Sequence, residues 1–120
     1  MNSYRDLIVW QKSIDLVTLI YKMTVSFPKE EKYSLASQLK RSAISVPSNI
    51  AEGYGRKYSK DYSRFLQIAR GSLFEMQTQI EISKNVGFVS SNDLKPIEGL
   101  CLEIEKMLNS LISKINSSIK

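Results

Sequence analysis

The chain has no histidine and only one cysteine in 120 residues. Without histidine it lacks the commonest general base and the commonest metal ligand. Serine–histidine and cysteine–histidine nucleophile pairs are thereby excluded, and a zinc site built within one chain is close to excluded. The lone Cys101 cannot form an internal disulfide, which fits a reducing compartment. No apolar run approaches the roughly 20 residues of a membrane span. The opening MNSYRDLIVWQK has no basic stretch leading into an apolar one. No secretory signal is read there, and a cytoplasmic location without a membrane partner is expected. A phosphate loop is missing as well, because GYGRKYSK (53–60) lacks the glycine pattern that ends in Lys-Ser or Lys-Thr. Carboxylates do not cluster: Glu30 and Glu31 open a helix, and Glu103 and Glu105 stand two apart on another. Glu52, beside Asn49 and Arg56, reads better as arginine-paired than as a lone catalytic acid. These absences describe a binding module, not an enzyme, with no cofactor and no metal.

The positive signal is helical periodicity. No alternation of period two marks a strand. The expected class is all-α, an antiparallel up-down four-helix bundle in a single domain spanning 1–120. Its helices are expected at about 6–26, 30–54, 60–86 and 93–115. The first ends before Phe27-Pro28. Ser59 is expected to cap the third and Gly87 to close it. Pro96 is read into the first turn of the fourth. Core stripes run through Leu35, Leu39, Ala43, Val46 and Ile50, then Tyr62, Phe65, Ala69, Leu73, Met76 and Ile80. The last runs through Leu94, Ile97, Cys101, Ile104, Leu108, Leu111 and Ile115, which makes Cys101 a small core residue. Gly71 and Ser72 are small enough to admit a close neighbour.

The first helix carries two apolar stripes. Leu7, Trp10, Ile14, Val17 and Tyr21 make one, and Val9, Leu16, Ile20, Met23 and Phe27 make the other. Together they cover roughly 200°, where an outer bundle helix needs little more than about 100°. The second stripe is therefore assigned to an interface between copies of the chain.

The segment Gln38 to Arg56, QLKRSAISVPSNIAEGYGR, breaks the habits of a helix. Pro47 removes a backbone donor and crowds the Ala43 carbonyl, at about 3 kcal/mol or more, so the second helix is expected to bend there. Gln38, Arg41, Ser45, Asn49, Glu52 and Arg56 share one face at spacings of three and four. A solvated face is mostly Lys and Glu. This stripe suits a partly buried polar seam or a ligand surface.

The formal net charge is +5, and its location is informative. Lys40, Arg41, Arg56, Lys57, Lys60, Arg64 and Arg70 fall between positions 40 and 70, against Glu52 and Asp61. The remaining ten cations and ten acids cancel, so this segment holds the whole excess. Such a local excess is the footprint of a polyanionic partner, RNA or DNA. Tyr54, Tyr58 and Tyr62 interleave with these cations, and Tyr54 and Tyr58 are the better candidates for stacking on bases.

VWQK, FPKEEKYSL, the run from Gln38 to Arg56 and FLQIARGSLFE occur in order over about 7–87. Together they resemble the four-helix-bundle family encoded in intervening sequences of bacterial 23S rRNA genes. The accessory protein of diversity-generating retroelements is similar to that family. The resemblance implies an antiparallel four-helix bundle assembled as a homopentamer. The accessory protein binds nucleic acid and a reverse transcriptase; for the intervening-sequence proteins the resemblance brings no settled biochemical role, and it supports reading the basic segment as a nucleic-acid surface. Five copies would carry about +25 around a ring. The expected function is a non-catalytic homo-oligomer that binds nucleic acid, structured RNA foremost, through the seven cations of the second and third helices. The alternative is a scaffold for another protein, such as a nucleic-acid enzyme.

Overall fold

A computed structural model describes residues 3–119. Each helix begins where the local chain chemistry permits. Ser3 accepts from the Arg5 amide and caps a single 3-10 turn, Tyr4–Asp6. Leu7 is extended, so α1 starts at Ile8 and runs to Thr24. Pro28 opens a second 3-10 turn, Lys29–Glu31, which delays α2 to Leu35–Tyr54. The Glu31 carboxylate reaches forward to accept from the Leu35 amide at 3.2 Å, doing the work of a cap. Helix α3 spans Ser59–Asn85 and is preceded by extended Tyr58. Ser59 is thus the first helical residue and not the expected cap. Helix α4 spans Ser91–Ser117, with Ser90 Oγ accepting from Asp93 N at 3.1 Å. Pro96 consequently lies in its second turn, where exposed Asn92 can give its unused carbonyl to water. The second helix runs unbroken through Pro47.

The turn after α3 needs its glycine. Gly87 has φ +85°, the Phe88 amide donates to the Ser83 carbonyl at 2.9 Å, and the Gly87 amide to Lys84 at 3.0 Å. That is a Schellman closure, in which a β-carbon would be strained.

Cross-helix contacts fix the topology. Ser42 meets Gln79 and Ser45 meets Ser72, so α2 and α3 run in opposite directions. Ser63 meets Asn116 and Arg70 meets Asn109, which does the same for α3 and α4. Helix α1 packs on α2 and α4, joined to α4 by Lys12 and Glu103 at 2.7 Å. The four helices form a ring-wise bundle of 49 × 24 × 23 Å.

The core inverts one expectation. Val9, Leu16, Ile20 and Phe27, assigned to a subunit interface, are buried within one chain, and Met23 is half-buried against them. Ile14 and Tyr21, from the other stripe, are exposed instead. The buried face of α1 also contains Ser13 and Thr24, whose hydroxyls donate to the Val9 and Tyr21 carbonyls. In α4, Ile112 is buried, while Leu111 and Ile115 are only partly covered.

Helices α2 and α3 approach closely at Gly53. A β-carbon there would lie 2.7 Å from Phe65 Cβ and 3.3 Å from the Tyr62 carbonyl oxygen. Gly53→Ala is expected to cost about 1–3 kcal/mol in urea unfolding, because overpacking outweighs the better helix propensity of alanine. Gly71, by contrast, faces open space and admits no neighbour. Gly71→Ala should stabilise α3 by about 0.5–1 kcal/mol. Equal effects at the two sites would contradict the packing described.

Cys101 is buried in α4 as expected. Burial pushes its thiol from 9.0 up to about 12, with Glu98 and Glu105 adding to the rise. The fold therefore favours the neutral thiol. That contribution is fully present below pH 9.0 and is lost as pH rises toward about 12. At pH 8 the native protein should resist a thiol-alkylating reagent and react fully once denatured; rapid native labelling would contradict the burial.

Candidate nucleic-acid interface

The polar stripe of α2 divides into a seam and a surface. Ser45 and Asn49 are half-buried against α3. The Ser45 and Ser72 hydroxyls lie 2.7 Å apart, and Asn49 Nδ2 donates to the Ser45 carbonyl and hydroxyl at 2.8 and 2.9 Å. Ser42 extends this seam by donating to Gln79 Oε1 at 2.7 Å. It was not on the predicted stripe, although its place three residues before Ser45 was the available signal. Gln38, Arg41, Glu52 and Arg56 are exposed. Arg56 pairs with Glu52 at 3.2 Å, as the spacing predicts, and lies 4.7 Å from the centre of the Phe65 ring.

The seven predicted cations do not form one patch. Arg56, Lys57, Lys60 and Arg64 gather at the α2–α3 turn. Lys60 and Arg64 line a cleft of about 620 Å³ with Asp61, Ser63, Gln67, Asn116 and Ile119. Here the start of α3 meets the end of α4. Ser63 Oγ donates to Asn116 Oδ1 at 2.6 Å, and Gln67 Nε2 donates to Ser63 Oγ at 3.1 Å. Three polar residues that sequence reasoning passed over thus shape the cleft. Two of them lie 53 residues apart, and only the tertiary fold joins them.

Tyr58 makes no side-chain cap at the start of α3. The unpaired amides of that first turn add partial positive charge to the same end of the molecule. Tyr58 is 62% exposed and available for stacking, with Lys57 Nζ 5.5 Å from its ring centre. Tyr54 is half-buried and packs edge-on against Tyr62 at 6.1 Å. Burial, and then Tyr54, raises the Tyr62 hydroxyl pKa.

The other predicted cations lie elsewhere. Arg41 is exposed in the first half of α2. Arg70 is half-buried and donates to Asn109 Oδ1 at 2.8 Å on the α4 side. Lys40 sits about 21 Å along α2 from Tyr54, at 1.5 Å per residue. It faces α1, with Nζ 4.9 Å from the centre of the Tyr21 ring.

Among the described residues, no group of three or more His, Cys, Asp or Glu side chains could hold a metal ion. No helix among them is long and apolar enough to cross a membrane.

Comparison with known proteins places this geometry in a family. No curated protein matches the chain. A solved structure from Bacteroides thetaiotaomicron VPI-5482, described as a protein of unknown function from the S23 ribosomal protein family, superposes with a TM-score of 0.78. It is 25% identical in sequence, over 88% of this chain and 98% of that one. The family model described as 23S rRNA-intervening sequence protein matches residues 5–110. The resemblance carried by QLKRSAISVPSNIAEGYGR and FLQIARGSLFE is thus a family relationship: the chain belongs to the 23S rRNA-intervening sequence protein family.

Proposed function

We propose that this chain is a non-catalytic, homo-oligomeric bundle that holds nucleic acid, structured RNA foremost, at the end formed by the α2–α3 turn. One observation carries the reading. Lys60 and Arg64 line an open cleft at an uncapped helix start, Arg56 and Arg64 both lie over the Phe65 ring beside it, and Lys57 sits in the adjoining turn. Phosphate is the natural ligand of such a surface, since it rewards point charges and amides without requiring base readout. Glu52 is engaged by Arg56 and has no catalytic companion. Salt titration of RNA binding, with the cations at this end replaced by glutamine, tests the reading: affinity and salt slope should both fall.

Assembly belongs to the same proposal, with five copies as the number the family resemblance implies. The stripe expected at the contact is used up in the core. A candidate in its place is the groove between α1 and α2 lined by Tyr4, Trp10, Ile14, Val17, Ile44 and Pro47. Ile14 and Ile44 are 39% and 41% exposed, an apolar pair that a second copy would cover.

A second reading, a scaffold for another protein such as a nucleic-acid enzyme, is favoured by a different cleft. Ile82 and Val86 are exposed beside Leu35 and Phe88 in about 360 Å³ of space between α2 and α3. RNA binding by the isolated protein separates the readings, because the scaffold alone needs none.

A further inference from the structure

Lys40 does not join the cations it neighbours in sequence. It lines a separate cleft of about 400 Å³ with Lys29, Lys32, Thr24, Val25 and Phe27, toward the opposite end of α2. The three lysines come from the 3-10 turn, the residue after it and the second turn of α2. Two aromatic rings lie beside them. Lys32 Nζ is 5.4 Å from the centre of the Tyr33 ring, and Lys40 Nζ is 4.9 Å from that of Tyr21. Tyr33 is 86% exposed, so most of its ring stands in water. Of the two acids in this turn, Glu31 is drawn toward the Leu35 amide, where its charge serves the start of α2.

We propose that this cleft is a second nucleic-acid contact and that it takes an unpaired strand. The proposal rests on the reading of the chain as a nucleic-acid-binding protein and adds a site and a ligand class to it. Lys29, Lys32 and Lys40 meet successive phosphates, and a base stacks on Tyr33. The combination of spaced cations with an exposed ring is how single strands are held without sequence preference. Bases inside a duplex present no open face to such a ring, which is why the strand must be unpaired. The two contacts face different neighbours of α2: Lys40 lies toward α1, and Arg56 lies toward Phe65 of α3. A strand bound at both therefore passes around α2, which a flexible single strand does more readily than a duplex.

The test uses the full chain, a fluorescent oligouridylate and the same strand annealed to oligoadenylate, each titrated over a range of salt. Lys29→Gln, Lys32→Gln and Lys40→Gln together should lower the single-strand log–log salt slope by about 2, at about 0.7 per phosphate contact. Tyr33→Ala should weaken oligouridylate by at least about fivefold, the low end of base–aromatic stacking, and leave the duplex unchanged. Lys29→Gln with Lys32→Gln touches only residues outside the core, so it guards against a folding defect from half-buried Lys40. Replacing Lys95, Lys106 and Lys114 of α4 removes the same charge from elsewhere. If the cleft variants retain the wild-type slope, this site is wrong and the α2–α3 site is untouched; if they lose no more than the α4 variant, only bulk charge matters and this site is wrong. If the wild-type protein binds neither probe at low salt, both readings fall together.

Discussion

Replacing Ile20 with glutamate will unfold the chain itself, beyond any effect on assembly. Ile20 is fully buried between helices of a single chain. Placing a carboxylate there without a partner costs several kcal/mol, or forces it to take up a proton. A domain of this size has about 5–15 kcal/mol of stability in all. The expected result is loss of the helical circular-dichroism signal, or insoluble protein, at room temperature. Ile44→Glu is the matched comparison. Its side chain is 41% exposed and reaches water, so the change should cost about 1 kcal/mol and leave the chain folded. If the α1–α2 groove is the contact between copies, Ile44→Glu should stay folded while light scattering falls toward the 13.7 kDa of one chain. A folded, dissociated Ile20→Glu variant would return the Val9–Phe27 stripe to the interface and contradict the core described here.

The error over α1 has a physical source. Its two stripes are similarly apolar, so hydropathy alone does not choose between them. The true core face runs through Val9, Ser13, Leu16, Ile20, Thr24 and Phe27, and reads as interrupted because two members are polar. Those hydroxyls are satisfied within their own helix, at 2.7 Å to Val9 and 3.1 Å to Tyr21, so burying them costs little. Ser42, Ser63 and Ser83 are buried on α2 and α3, each with a hydrogen-bond partner. The stripes of α2, α3 and α4 were legible because Leu39, Leu73, Ile104 and their neighbours face one side only. The cations were legible as a group by charge count, but their division was not. Lys29 and Lys32 were masked by Glu30 and Glu31, which cancel them in any local sum. Their meeting with Lys40 depends on where the 3-10 turn folds. Asn116 is brought to Ser63 by the return of α4, which no local pattern encodes.

Charge replacement decides whether the α2–α3 end binds nucleic acid by its phosphates, as proposed. Arg56, Lys57 and Lys60 are exposed, and none lies on a core stripe, so changing all three to glutamine should leave the fold intact. RNA affinity is measured across salt for wild type, this variant and the Lys95, Lys106 and Lys114 to glutamine control. Wild type should show steep salt dependence, with a slope near −0.9 per contact on duplex DNA and near −0.7 on single strands. The α2–α3 variant should lose about two units of single-strand slope and at least about tenfold in affinity at low salt, while the α4 control keeps both near wild type. Equal losses in the two variants would mean that only bulk charge matters, and absence of wild-type binding at low salt would contradict the claim outright.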